Sequence, residues 1–143
     1  MDGRFDMLGL HMCLVLKRLK LESKKAKEFS QSLFDLMFKD MDHSLREMGV
    51  GDLSVGNRVK EMGRALLGRL EAYETAIGLD GLALENALIR NVYRGDMKFS
   101  DKAGHLAVYV RSLDTFLAQT PVDSIIEGEF TFESTCVYLK NGE

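Results

Sequence analysis

The most constraining feature of this sequence is a helical repeat of apolar residues that continues without a break from residue 55 to residue 77. Steps of three and four residues, which place side chains on one face of an α-helix, separate Val55, Val59, Met62, Leu66, Leu70, Tyr73 and Ile77. Similar stripes precede and follow this segment, and the 143 residues contain one proline and no tryptophan. The sequence therefore predicts an all-α protein, a single-domain bundle of five to six helices.

The ends of these stripes predict where each helix begins and ends. We expect long helices over residues 4–21, 25–48, 54–77, 79–94 and 101–119. A short helix should follow, with Thr120 as its cap, Pro121 at its first position and Gly128 at its end. Residues 130–139 alternate weakly between apolar and polar side chains, which predicts a short extended tail.

Capping residues and glycines mark several of these boundaries. Ser54 is the expected N-cap of the third helix, with Asp52 as the alternative, and Ser100 is the expected N-cap of the fifth. Gly49 suits the position after the second helix, because a glycine adopts a positive φ at little cost. Gly49 and Gly51 together predict a sharp reversal between two helices and not a phosphate loop, since a phosphate loop follows a strand.

No arrangement of side chains in the sequence indicates catalysis. The histidines His11, His43 and His105 lie on three different predicted helices, and the Glu-x-x-His pattern of di-metal bundles is absent. Cys13 and Cys136 belong to no CxxC or nucleophile motif, which predicts free thiols in a reducing compartment. We therefore expect no catalytic residue, no metal site and no cofactor. A haem- or metal-handling protein that uses one of the histidines is the open alternative.

The charge is small overall but uneven along the chain. The net charge of −3 is too weak to indicate a DNA-binding protein, and no apolar run is long enough to span a bilayer. Residues 17–27 hold six cations against one acid, whereas residues 112–143 hold six acids against one cation. The cations predict a basic surface for acidic lipids or the ribosome, formed by Lys17, Arg18, Lys20, Lys24, Lys25 and Lys27. A solvated helix end and a ribosome- or RNA-binding module are the alternatives for this segment.

The bend between the second and third predicted helices is the strongest candidate for a partner-binding surface. Charges of both signs surround an apolar rim of Met48, Val50 and Leu53, a composition typical of a protein-binding surface and unlike a nucleic-acid groove. The predicted partner-binding residues are Asp40, Asp42, Arg46, Glu47, Asp52, Arg58, Lys60, Arg64 and Arg69. Gly49, Gly51 and Ser54 are expected to have structural roles in the bend. A merely solvated surface is the alternative.

Three motifs occur in a distinctive order along the chain. They read RFDMLGLHMCL at residues 4–14, DMDHSLREMGVGDLSV at residues 40–55 and GRLEAY at residues 68–73. In this order and spacing the chain resembles the ubiquinol–cytochrome c chaperone family, over about residues 3–110 and more weakly afterwards.

The resemblance implies a non-enzymatic assembly factor for the respiratory bc1 complex. It implies that the client is newly made cytochrome b, received near the ribosome and shielded until haem and partner subunits arrive. No DNA and no small-molecule substrate is expected. The implied location is peripheral to the inner membrane, in the cytoplasm of a bacterium and on the matrix side in mitochondrial relatives. Family members usually carry one more helix upstream, so we expect that helix to be missing here, and they often have proline where Gly56 stands.

Overall fold

A computed structural model describes residues 3–20 and 22–131. Its helices are α1 (Gly3–Leu19), α2 (Lys24–Glu47), α3 (Asp52–Ile77), α4 (Ala83–Asn91), α5 (Ser100–Gln119) and α6 (Val122–Ile126), with a 3-10 turn at Met97–Phe99. These described residues contain no strand, so the predicted all-α bundle is confirmed. The predicted extended tail lies, apart from residues 130 and 131, outside the described part of the chain.

The first helix, α1, lies at the centre of the bundle and packs against α2, α3 and α5. Leu10, Cys13 and Leu14 on α1 are almost completely buried, and Gly9 lets Leu66 of α3 come close to the α1 backbone. The helix α4 covers α3 and α5, and α6 packs against α2. One continuous hydrophobic core results, which buries α1 on most of its sides, although Leu8 is exposed.

The helix α3 begins earlier than the predicted capping residues indicate, because its N-cap lies before both of them. Gly49 has a φ of 85° directly after α2, as expected for a glycine in that place. The N-cap of α3 is Gly51, so the predictions of Ser54 and of Asp52 as caps are both wrong. Ser54 lies inside the first turn of α3, and the carboxylate of Asp52 binds Arg46. Asp52 therefore makes a salt bridge to α2 and does not cap α3.

Two further caps differ from the prediction, each for its own local reason. Ser100 is the first residue of α5 and not its cap, because the 3-10 turn already brings helical backbone up to Phe99. The side chain of Asp96 caps that turn by accepting a hydrogen bond from the amide of Lys98 at 3.1 Å. Thr120 donates its hydroxyl to the carbonyl of Phe116 at 2.7 Å, so it completes α5 and does not cap α6.

The fourth helix is shorter than its apolar pattern predicts, because positive φ values interrupt the chain at both ends. Gly81 has a φ of 78° before α4, and Arg94 and Gly95 have φ values of 55° and 79° after it. Leu79 and Leu82 therefore belong to the turn between α3 and α4, where their side chains are 52% and 68% exposed. The predicted end at Gly128 is confirmed by its φ of 70° two residues after α6.

Candidate protein-binding site

The candidate site is the corner formed by the end of α2, the link at residues 48–51 and the start of α3. Arg46 donates one hydrogen bond to Asp42, at 2.7 Å one turn earlier, and another to Asp52 at the start of α3. These two carboxylates raise the pKa of the Arg46 guanidinium, with the Asp42 hydrogen bond contributing most. The structure thus brings three of the predicted residues into one exposed network that links the two helices.

Two large apolar side chains project from the same corner. Met48 is 76% exposed and Leu53 is 89% exposed, while Val55 just beyond them is fully buried and anchors α3 to the bundle. Val50 between them is half-buried. Apolar side chains this exposed, grouped at one place and flanked by fixed charges, are a feature of protein-binding surfaces. The predicted apolar rim therefore lies on the surface of the fold.

The remaining predicted residues of α2 and α3 are exposed but do not form one face. Glu47 pairs with His43, with 3.1 Å between Oε1 and Nε2, and Asp40 is exposed about two turns before the bend. Lys60 and Arg64 stand four positions apart on the outer side of α3 and share a face, whereas Arg58, two positions before Lys60, points elsewhere. The basic side chains of α3 therefore divide between two directions.

Arg69 does not belong to any partner-binding surface, and its prediction is wrong. Its side chain is 14% exposed and donates to Asp6 of α1 at 2.7 Å, with the guanidinium 5.5 Å above the ring of Phe5. Asp6 is only 3% exposed, and it also lies 3.7 Å from Arg94 in the turn after α4. The contacts of Asp6 therefore join α1, α3 and the turn after α4. The feature of the sequence that could have indicated this pair is an acidic residue inside an otherwise apolar helix.

The basic segment at residues 17–27 is largely neutralised inside the molecule. Lys17 pairs with Asp114 at 2.8 Å and Lys20 pairs with Glu74 at 2.9 Å. Arg18 donates to the carbonyl of Leu117 at 2.7 Å, so it completes the end of α5. Lys17 and Arg18 therefore have structural roles, which contradicts their prediction as open basic surface.

The rest of the segment is more exposed. Lys24 lies 3.9 Å from Glu28, and Lys25 lies 3.8 Å from Asp123 of α6. Lys27 is exposed. Two acids of the acidic segment at residues 112–143, Asp114 and Asp123, therefore face cations of the basic segment, which gives the uneven charge of the sequence a structural explanation.

The histidines and the described cysteine occupy structural or isolated positions. His11 places Nδ1 2.7 Å from the carbonyl of Met7 and Nε2 2.6 Å from the hydroxyl of Tyr109 on α5, so both ring nitrogens are engaged. Cys13 is buried, and its desolvation raises the pKa of the thiol to about 12. Within residues 3–20 and 22–131, no three His, Cys, Asp or Glu side chains are grouped as metal ligands. No helix in this part of the chain has the length and apolarity needed to cross a bilayer.

The structure is an all-α bundle with exposed apolar side chains at a charged corner, a combination that is found on protein-binding surfaces. Comparison with known protein families identifies the family. Residues 1–132 match the family described as ubiquinol-cytochrome C chaperone. The chain belongs to this family, as the order of its three motifs predicts.

Two relatives agree with this assignment. The chain is 26% identical over 117 residues to the ubiquinol-cytochrome-c reductase complex assembly factor 1 of Xenopus laevis. It is similar in structure to the Cbp3 homolog from Brucella abortus, with a TM-score of 0.81, 36% identity and coverage of 93% of this chain and 74% of that one. The match to the frog protein covers 82% of this chain but only 58% of that relative's length.

Proposed function

We propose that this protein is a non-enzymatic assembly chaperone of the ubiquinol–cytochrome c reductase (bc1) complex and that it holds newly made cytochrome b at the corner between α2 and α3. Membership of the ubiquinol–cytochrome c chaperone family supports this proposal, as does the name of the frog relative, a ubiquinol-cytochrome-c reductase complex assembly factor. The client is inferred from the family resemblance, and the binding place is inferred from the geometry.

The observation that carries the binding place is the pair of exposed side chains, Met48 and Leu53, beside the network of Arg46 with Asp42 and Asp52. Burying both apolar side chains in a complex would contribute on the order of 3–6 kcal/mol before the cost of association. A contribution of that size suits a chaperone that must hold its client and release it. The fixed charges would orient the client more than they would tighten its binding.

The test is capture of cytochrome b by the purified protein from an extract of bc1-containing membranes. The double variant M48S/L53S should capture about tenfold less cytochrome b, because it loses on the order of 1.4 kcal/mol or more of apolar contact. L36S is the matched control, because Leu36 on α2 is 63% exposed and lies outside the corner.

A second variant tests the charges of the corner. R46E replaces the cation between Asp42 and Asp52 with a third acid and should lower capture while the helical circular dichroism signal persists. Undiminished capture by both R46E and M48S/L53S would contradict the assignment of the binding place. No capture of cytochrome b by the unmodified protein would contradict the proposed client.

The proposed location is peripheral to the respiratory membrane, on its cytoplasmic side in a bacterium, close to ribosomes that make the client. The exposed remainder of the basic segment, Lys24, Lys25 and Lys27, is the surface proposed to rest on acidic lipid or the ribosome. Their few charges can give only a weak attraction, about 1 kcal/mol for each cation near an anionic surface. Sedimentation with anionic vesicles or with ribosomes should fall between low and high salt, and salt-independent sedimentation would contradict this role.

A further inference from the structure

An open groove of about 470 Å³ runs between α3 and α4, toward the end of α3 that lies away from the corner. Much of its lining is made of small residues, Gly68, Ala72, Thr75 and Ala76 on α3 and Ala83 on α4. Leu79 lies in the groove, and the neighbouring Leu82 is also largely exposed, so apolar surface continues past one end.

The shape of the groove fits a convex rod. Gly68, Ala72 and Thr75 follow one another at steps of four and three residues, so they share one face of α3. Because these residues are small, that face of the helix is recessed. Helices whose contact residues are small can bring their axes to about 8 Å. A second copy of this chain would present the same concave surface and leave a void between the two grooves, so an α-helix from another protein fills the space better.

The charges on the rims define what such a helix would carry. Glu71 stands on the α3 side of the groove and Arg90 on the α4 side, and both are exposed. Neither makes an ion pair within residues 3–20 and 22–131, although most of the cations at residues 17–25 do so. A complementary helix would present a cation toward Glu71, a carboxylate toward Arg90 and large apolar side chains between them.

We propose that this groove binds one α-helix of the client, with that pattern of side chains, as a second contact beyond the corner. The inference rests on the proposed function. Leu53 at the corner and Ala72 in the groove stand on the same helix, roughly 30 Å apart at 1.5 Å per residue. That separation is comparable to the length of one membrane-spanning helix, so a single client can reach both places.

Site-specific photo-crosslinking separates this inference from the proposed function. A benzophenone amino acid is placed at Leu53 in one sample of the full chain and at Thr75 in another, and each is irradiated in the bc1-containing extract. Mass spectrometry identifies the crosslinked peptide. We expect both positions to label cytochrome b, and the Thr75 crosslink to lie in a helix that carries the opposite charges described above.

Groove variants then test the contact itself. E71K and R90E should each lower the Thr75 crosslink about fivefold, because repulsion replaces attraction at one rim. Ala72→Leu should do the same by filling the groove. The matched controls, K39E on α2 and E127K after α6, reverse exposed charges elsewhere and should leave the crosslink unchanged.

The outcomes are distinct. Labelling of cytochrome b from Leu53 alone overturns the groove inference and leaves the proposed function standing. A Thr75 label that reaches only a second copy of this chain, or a Thr75 crosslink that all three groove variants retain, also overturns it. No label on cytochrome b from either position overturns the proposed function as well.

Discussion

At the residue scale, the pair of Asp6 and Arg69 shows how one charged residue can be misassigned from sequence alone. Arg69 follows the exposed cations of α3 in the sequence. Because it is as polar as they are, the sequence pattern does not show that it lies on a buried face of the helix. The structure places its guanidinium against a carboxylate 63 residues away, with only 3% of Asp6 exposed. Burial of both partners depends on contacts between helices, which no local pattern records.

This pair predicts a large effect of removing one partner. Asp6→Ala should lower the free energy of unfolding by about 3–5 kcal/mol, because it leaves Arg69 largely buried without a counter-charge. Urea denaturation followed by circular dichroism measures the change. Asp40→Ala, at an exposed position of α2, should stay within about 0.5 kcal/mol.

A double variant separates charge from packing at the same place. D6A/R69M removes both charges without enlarging either side chain and should recover much of the stability lost in D6A. A D6A variant that loses less than about 1 kcal/mol would show that water reaches the pair, and would contradict its description as buried.

At the element scale, the helices and the bend were predictable, but the N-caps of α3, α5 and α6 were not. Apolar stripes fix which face of α2 and α3 is buried, and a glycine after α2 indicates the reversal, so the place of the candidate site follows from sequence. The choice between Gly51, Asp52 and Ser54 as the cap depends on where the carboxylate of Asp52 goes. It goes to Arg46 on the preceding helix, a contact that capping preferences do not consider.

Two glycines of the bend give opposite predictions for the same substitution. Gly56→Ala should raise the free energy of unfolding by about 0.5–1 kcal/mol, because the position is helical and an added Cβ meets nothing within 4 Å. Gly49→Ala should lower it by about 1–2 kcal/mol, because its φ of 85° strains any side chain.

Thermal and urea unfolding of the two variants measure this contrast under one set of conditions. Equal effects of G49A and G56A would contradict the left-handed backbone at Gly49. If G56A instead weakens client capture without loss of stability, the glycine serves close approach of the client to α3.

At the scale of the whole molecule, contacts between the two ends of the sequence complete the core. The basic segment meets the acidic segment at residues 112–143 through the pairs Lys17–Asp114 and Lys25–Asp123. The sequence therefore indicated two complementary charge clusters, but not that they meet each other. Only the topology, which brings α5 and α6 beside the start of the chain, joins them. A charged segment of a sequence therefore predicts a surface for another molecule only when the fold does not pair it with opposite charges of the same chain.

The thiol of Cys13 and the hydroxyls of two tyrosines, which burial makes harder to ionise, predict how the free energy of unfolding depends on pH. Burial raises the pKa of Cys13 to about 12 and also raises the pKa of Tyr73 and Tyr93, so the folded state retains protons that the unfolded chain loses. Their contribution is fully present below the ordinary pKa values of about 8.5 for cysteine and 10 for tyrosine. It is lost as pH rises toward the raised values.

Urea unfolding between pH 8 and pH 11 measures this loss as a fall in the unfolding free energy. Cys13→Ala removes one of the groups and should make the fall less steep, even if it lowers stability at pH 8. A slope identical in C13A and in the unmodified protein would contradict the burial of the thiol.

The central position of α1 has a consequence for how the chain is made. The partner of His11 on α5 is 98 residues further along the sequence, and the carbonyl that Arg18 binds is 99 residues further along. At the usual speed of translation, about 5–20 s separate the emergence of α1 from the emergence of those partners. The first helix therefore waits, incompletely covered, until α5 has left the exit tunnel, and the native bundle can close around α1 only after that point.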